Sequence, residues 1–263
     1  MEAGLGNQGQ ATSCADPGLG HPGLGHPAFD PVRPWLERLP RQGWPSHEQL
    51  SALAAGADLR TESGKPLQFV PPAPADSCYE LHVHRTGEVH TRPRNWHDLL
   101  NALAWLAFPL TKARLNALHA ATMPCEGGRR GRLRDMLTIF DEGGAIVVCD
   151  DPDLEAMIRG FRWRELFWEQ RARAAARLRV LVLGHAVLEQ ALAPRPAITC
   201  KTLFVSAAQA ADRQAAAALA AHATPRSLAP LPIFGLPGWD PGNASETFYA
   251  DERYFRRPGK NGT

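Results

Sequence analysis

Between Asn95 and Glu142 the chain carries polar side chains at positions where a plain core helix carries apolar ones, and this conflict limits what it can fold into. The run Asn95-Trp96-His97-Asp98-Leu99-Leu100-Asn101 leads to Lys112, Asn116 and His119. It continues to Arg134-Asp135 and ends at Phe140-Asp141-Glu142-Gly143-Gly144. A polar group removed from water costs free energy unless a partner replaces its lost hydrogen bonds. A fold built on this stretch must pair these groups in a network or present them at a site.

Local signals place the stretch on two helices. Asn95 is a capping residue type and Asp98 suits the positive end of a helix dipole, so a helix is predicted from Trp96 to about Ala107, ended by Pro109. Thr111 predicts the cap of a second helix reaching about Ala121, and the short joint makes the two close neighbours. His97 and Asn101 then share one face, as do Lys112, Asn116 and His119. Leu99, Leu103 and Leu106, and on the next helix Leu115 and Leu118, take the opposite sides. Two polar stripes meeting across such a pair make a cleft; the alternative is a solvated face. Asn and His are poor helix formers, which gives a merely solvated face little reason to use them.

Further acids and imidazoles extend the candidate site. Leu178, Leu181, His185, Leu188 and Leu192 read as a heptad-like stripe, inside a helical stretch predicted from Asp153 to about Ala193, with a break near Arg171–Ala176. His185 would point inward there, and Glu189 one turn on would fix its tautomer. Asp141-Glu142 falls at the tip of a hairpin predicted over Thr138–Val148, with Gly143-Gly144 as its turn, where acids are also ordinary turn chemistry. We therefore expect His97, His119, Asp141, Glu142 and His185 to carry the chemistry. Asn101, Lys112, Asn116 and Arg134 are expected to hold a substrate, with Asp98, Asp135 and Glu189 in support. A divalent metal (zinc, manganese or iron) on His97, His119 and Asp141 fits that donor set, though no spacing matches a known metal signature. The same residues suit metal-free acid–base work. There is no Gly-x-Ser-x-Gly elbow and no Walker loop. The expected function is a hydrolase with a His/carboxylate site for a small polar or anionic substrate. Its rival is a non-catalytic binding or scaffold protein whose polar network is structural.

The remaining chain bounds the setting. Residues 1–28 are rich in Gly and Pro, with a direct repeat ending in His21 and His26, and read as a disordered tail before a single domain over 29–263. Ser46 predicts a short helix cap, Leu67–Val70 a strand, and Tyr79–Thr91 a hairpin turning at Thr86-Gly87. A last strand is expected at Thr202–Val205 and an alanine-rich helix from Ala207 to about Ala221. No βαβ rhythm is visible. The fold class is therefore α+β: a mostly helical domain with two short hairpins and an irregular, aromatic and Pro-rich C-terminal segment. That segment, Pro230–Pro258, is the candidate surface for a protein partner. A net charge of +2 on 263 residues gives no general argument for nucleic acid, and the Arg171–Arg179 run spreads around a helix rather than forming a stripe. Five widely spaced cysteines without a Cys-x-x-Cys pair, no apolar run long enough for a membrane span and no signal-like N-terminus suggest a cytoplasmic protein.

Several motifs together resemble a known group. They are Asn95-Trp96-His97-Asp98-Leu99-Leu100-Asn101-Ala102-Leu103-Ala104-Trp105, Phe108-Pro109-Leu110-Thr111-Lys112, Asn116-Ala117-Leu118-His119, Arg134-Asp135 with Thr138-Ile139-Phe140-Asp141-Glu142-Gly143, Gly184-His185-Ala186, and Leu236-Pro237-Gly238-Trp239. In combination they resemble an uncharacterised bacterial family, common in proteobacteria and described only as a domain of unknown function. The resemblance spans about Phe29 to Phe255 and implies one domain in a bacterial cytosol. It implies no mechanism.

Overall fold

A computed structural model describes residues 18–73, 78–122, 131–206 and 210–257. Two 3₁₀ turns, Pro22–Gly25 and Pro27–Phe29, precede α1 (Arg33–Leu36), α2 (His47–Gly56), β1 (Gln68–Val70), α3 (Tyr79–Thr86) and β2 (Glu88–His90). Then follow α4 (Trp96–Ala107), α5 (Pro109–Thr122), α6 (Arg132–Gly143), β3 (Gly144–Val148), α7 (Pro152–Arg159) and α8 (Arg171–Arg177). The chain continues through β4 (Arg179–Val182), α9 (His185–Ala191), β5 (Thr199–Val205), α10 (Ala211–Ala218) and β6 (Ala229–Pro232). The architecture is a mostly helical α+β single domain.

A four-stranded sheet in the order β4-β3-β5-β6 divides the core. β3 and β5 run parallel, with Ile146 opposite Leu203, and the flanking strands are antiparallel. Strand residues alternate between faces. Ala145, Val147 and Val182 join a large core that includes Leu100 and Leu103 of α4, Leu188 of α9 and Phe234. Ile146, Leu203 and Val205 join a smaller one with Leu115 of α5, Met136, Leu137 and Phe140 of α6 and Ala215 of α10. Burial on both faces explains why Gly-Ala-Ile-Val-Val shows no polar alternation.

Several expectations are corrected. Tyr79–Thr91 is not a hairpin: α3 ends at Gly87 in the left-handed conformation (φ 81°), and β2 then pairs parallel with β1. Thr86-Gly87 is thus a helix C-terminus, which the same dipeptide encodes equally well. Thr138–Val148 is not a hairpin either, since α6 runs to Gly143 and passes straight into β3. The stretch after Pro152 is not continuous helix. Arg179–Val182 is a strand, because a short apolar run fits either state and pairing with β3 decides it. No βαβ rhythm is visible in the sequence, yet β3 and β5 pair in parallel across the intervening helices. The predicted tail boundary at residue 28 is too late: Leu24 and Ala28 are buried, and His26 Nε2 lies 2.8 Å from the Trp239 carbonyl oxygen. Residues 207–209, the expected start of the last helix, lie outside the described residues.

Two adjacent helices carry the polar stretch from Trp96 to His119, as predicted. Asn95 accepts from the Asp98 amide and caps α4. α5 begins at Pro109 rather than Thr111, and its first free amides, Leu110 and Thr111, donate to the Asp212 carboxylate of α10 at 2.9 Å each. No helix among the described residues is long and apolar enough to cross a membrane.

Candidate functional site

The end of α6 and the start of α9 are brought together by the sheet. The Leu183 and Gly184 amides both donate to the Gly144 carbonyl, at 3.1 and 2.8 Å. A Cβ at Gly184 would stand 2.6 Å from the Glu142 carbonyl oxygen, so only glycine lets the two segments approach this closely. The residue after Gly184 is His185, and the last turn of α6 carries Asp141. His185 Nδ1 consequently lies 3.8 Å from Asp141 Oδ2, beyond hydrogen-bond length.

From this contact a line of titratable groups runs in both directions. Inward, Asp141 accepts a hydrogen bond from the Lys112 ammonium, which also donates to Asn101 Oδ1 at 2.8 Å and lies 5.5 Å over the Trp105 ring. Outward, His185 Nε2 meets His97 Nε2 at 3.1 Å, and His97 Nδ1 meets Glu189 Oε2 at 3.0 Å. Lys112 and His185 are buried, while His97 and Glu189 reach solvent. Glu189 therefore pairs with His97, not with its helix neighbour His185 as the spacing predicted.

These groups face a cleft of about 380 Å³ lined by Tyr79, Glu80, His90, Arg92, His97, Asp98, Asn101, His119, Thr138, Asp141, Glu142 and His185, with Pro72 at its edge. The volume lies within the range of small-ligand sites, about 300–1,000 Å³. A larger hollow of about 770 Å³ lies elsewhere, between Trp163, Lys201, Pro230 and Arg256. It holds no imidazole, whereas His90, His97, His119 and His185 line the smaller cleft beside Glu80, Asp98, Asp141 and Glu142.

Each environment sets a protonation state. Burial pushes the His185 imidazole down to about 4, only partly opposed by Asp141, so it is neutral at pH 7. Burial pushes the Asp141 carboxyl up, but Lys112 and His185 outweigh it and hold it below the usual carboxylate range. Glu80 moves the other way: burial and the nearby Asp141 charge raise it, although Asn116 Nδ2 donates to its carboxylate at 2.8 Å. Two neighbouring carboxyls pushed apart in this manner are a recurrent arrangement at acid–base sites. At the rim, burial is outweighed by two-oxygen binding to Arg92, at 2.8 Å to each, and Asp98 is held low.

Of the expected residues, His97, Asp98, Asn101, His119, Asp141, Glu142 and His185 line the cleft. Lys112 and Asn116 do not. They lie behind it, where Lys112 donates to Asp141 and Asn101 and Asn116 donates to Glu80. Arg134 and Asp135 lie on α6 outside the cleft lining, as does Glu189, which acts on His97. The expected metal set fails on geometry: the donor atoms of His97, His119 and Asp141 do not all come within 4.8 Å of one another. Glu142 lines the cleft from the last turn of α6, not from a hairpin tip.

Tyr79, Glu80, His90, Arg92 and Thr138 were missed. The hairpin reading of Tyr79–Thr91 hid the first three. Reading Gly87 as a helix-ending glycine would have put Tyr79 and Val83 on one helical face, with Glu80 beside them. Thr138 was hidden by the other hairpin reading, Thr138–Val148: on the helix that forms there it stands three residues before Asp141 on one face. The C-terminal rings are also accounted for. Phe234, Tyr249, Tyr254 and Phe255 are buried in the large core. In the arginine run, Arg171 donates to Asn243 and Tyr249, and Arg173 to Asp151 and Asp153.

Residues 67–259 match the family described as "Protein of unknown function (DUF3025)", and the chain belongs to that family. No curated protein and no solved structure matches the chain.

Proposed function

We propose that this member of the DUF3025 family is a hydrolase that works by acid–base catalysis on a small polar substrate held in the cleft of Glu80, His97, Asp141 and His185. The observation that carries this reading is the line from Lys112 through Asp141 and His185 to His97 and Glu189, which links a buried carboxylate to solvent.

The line has a natural proton direction. The Glu189 carboxylate can only accept, so His97 Nδ1 carries a proton. A His97 that also carries its Nε2 proton donates to His185 Nε2, which leaves His185 neutral with its Nδ1–H toward Asp141. His97, at the mouth, exchanges protons with water. Once His97 has given its Nε2 proton to water, the His185 Nε2 lone pair is open, and His185, kept neutral by burial, takes a proton there from an attacking water while Asp141, fixed by Lys112, stabilises the imidazolium that forms. Glu80, whose acid form is favoured, supplies a proton to the leaving group.

The rival reading is a binding protein whose network serves only the fold. The buried Lys112, bonded to Asp141 and Asn101, favours it. One experiment separates the two. The full chain is screened against chromogenic esters, amides, phosphoesters and glycosides, beside His185→Ala and Asp141→Asn, with a thermal melt of each protein. Turnover of one class, lost by about 100-fold or more in His185→Ala while its melting temperature is kept or raised, supports catalysis. No turnover in any class, or turnover equal in His185→Ala, overturns it, and a large fall in melting temperature then supports the structural reading.

A further inference from the structure

Where α3 passes into β2, three donors converge outside the acid–base line. His82, on the last turns of α3, places Nε2 2.9 Å from Oε2 of Glu88. Glu88 and His90 are alternate residues of β2, so they share a face while Val89 between them is buried. The His82 and His90 rings lie 4.7 Å apart. One donor atom from each of His82, Glu88 and His90 lies within 4.8 Å of the other two, and no other group of His, Cys, Asp or Glu among the described residues does this.

From this convergence we propose that His82, Glu88 and His90 form a binding site for a divalent transition metal, with zinc as the best-suited ion. Two imidazoles and one carboxylate are the ligand set of three-donor zinc centres that keep one position open, and of the facial triads that hold iron. Two donors about 2.1 Å from a tetrahedral ion stand about 3.4 Å apart. The His82–Glu88 hydrogen bond lengthens by only a few tenths of an ångström to reach that spacing. The metal replaces the proton these two groups share.

The backbone around the triad is fixed before any ion arrives. The Thr86 hydroxyl donates to the His82 carbonyl at 2.9 Å and accepts from the Glu88 amide at 3.0 Å, tying two ligands through one side chain. Gly87 between them adopts φ 81°, and a Cβ there would stand 2.1 Å from the Pro66 carbonyl oxygen. Parallel pairing with β1 sets Glu88 opposite Gln68 and His90 opposite Val70. All three ligands are half-buried, so an ion has an entry path.

The site adjoins the cleft through His90, which lines both. An ion with three protein donors keeps a fourth position for water or a substrate oxygen. The acid–base proposal does not depend on this site, nor the site on that proposal.

Direct binding tests the inference without any substrate. The full chain, stripped with chelator, is titrated calorimetrically with Zn²⁺ and separately with Co²⁺, whose visible absorption reports its ligands. One equivalent of each is expected. His90→Ala and Glu88→Gln should each weaken binding by more than about 100-fold, beyond the roughly 10–100-fold that loss of a supporting contact costs, and His97→Ala should not. Zn²⁺ should raise the melting temperature of the unaltered chain and of His97→Ala but not that of Glu88→Gln, which keeps the size and shape of the side chain and guards against a folding failure. Absence of binding in the unaltered chain, or binding equally tight in His90→Ala and Glu88→Gln, overturns the site. Binding lost in His97→Ala alone would move it to the acid–base line.

Discussion

At the scale of single residues, His185 is the most consequential side chain. It sits at the first position of α9, and Gly184 holds it against the last turn of α6. Its imidazole titrates near 4 in the fold because burial opposes its charge, against about 6.5 in the unfolded chain. The unfolded state therefore binds the extra proton first as pH falls. Stability from this residue is fully present above about pH 6.5 and is lost progressively between about 6.5 and 4, by on the order of 3 kcal/mol. His185→Gln cannot titrate there. The difference between urea-unfolding free energies of the two proteins, measured from pH 4 to 8, should shrink or reverse on the acid side. A pH-independent difference would show that the imidazole is not held neutral. Glu80 acts in the opposite sense, since a raised carboxyl loses stability as pH rises, and it cancels in that difference because both proteins retain it.

At the scale of elements, helix ends place the central titratable groups of the cleft. Asp141 closes α6, His185 opens α9, and α5 begins against a carboxylate supplied from a distant helix. Asp212 accepts from the Leu110 and Thr111 amides and gives the Thr111 hydroxyl its own carbonyl at 3.1 Å. It thus caps α5 from about one hundred residues away and clamps α10 to it. Replacing an N-terminal cap by alanine costs about 0.5–2 kcal/mol, and a charge near the positive helix end adds to the loss. Asp212→Ala should lower the melting temperature by several degrees and Asp212→Asn by much less, as scanning calorimetry would show. Equal melts for the aspartate and alanine proteins would mean that water caps α5 just as well. Local sequence disclosed α2 through Ser46 and α4 through Asn95, because those signals lie within one turn of the helix they start. It could not disclose the cap of α5, whose partner is remote. It misjudged Thr86-Gly87 and Gly143-Gly144, because glycine marks a hairpin, a helix end and a tight helix–strand passage alike.

At the scale of the whole molecule, the N-terminal segment belongs to the body. His26 reaches the Trp239 carbonyl, His21 packs edge-on against Trp96 with ring centres 5.7 Å apart, and Leu24 is buried. A chain that starts at Phe29 should unfold at a lower urea midpoint than one that starts at Gly18. Lost burial of Leu24 accounts for about 1.5–3 kcal/mol of that fall, and the His26 hydrogen bond for about 1 kcal/mol. The slope of the transition should change little. Identical midpoints would show that the packing of this segment contributes nothing to the fold.

By itself, the sequence determined the two central helices, the α+β class and the concentration of imidazoles and acids between Asn95 and His185. Capping and apolar spacing act over a few residues and are written in neighbouring positions. The tertiary structure alone decided that β3 and β5 lie parallel, that Glu189 serves His97 rather than His185, and that Lys112 and Asn116 face inward to hold acids. It also placed His82, Glu88 and His90 together. Those outcomes depend on which buried groups find partners across tens of residues, and such pairing is settled by packing of the whole chain, where each desolvated charge must meet its counterpart.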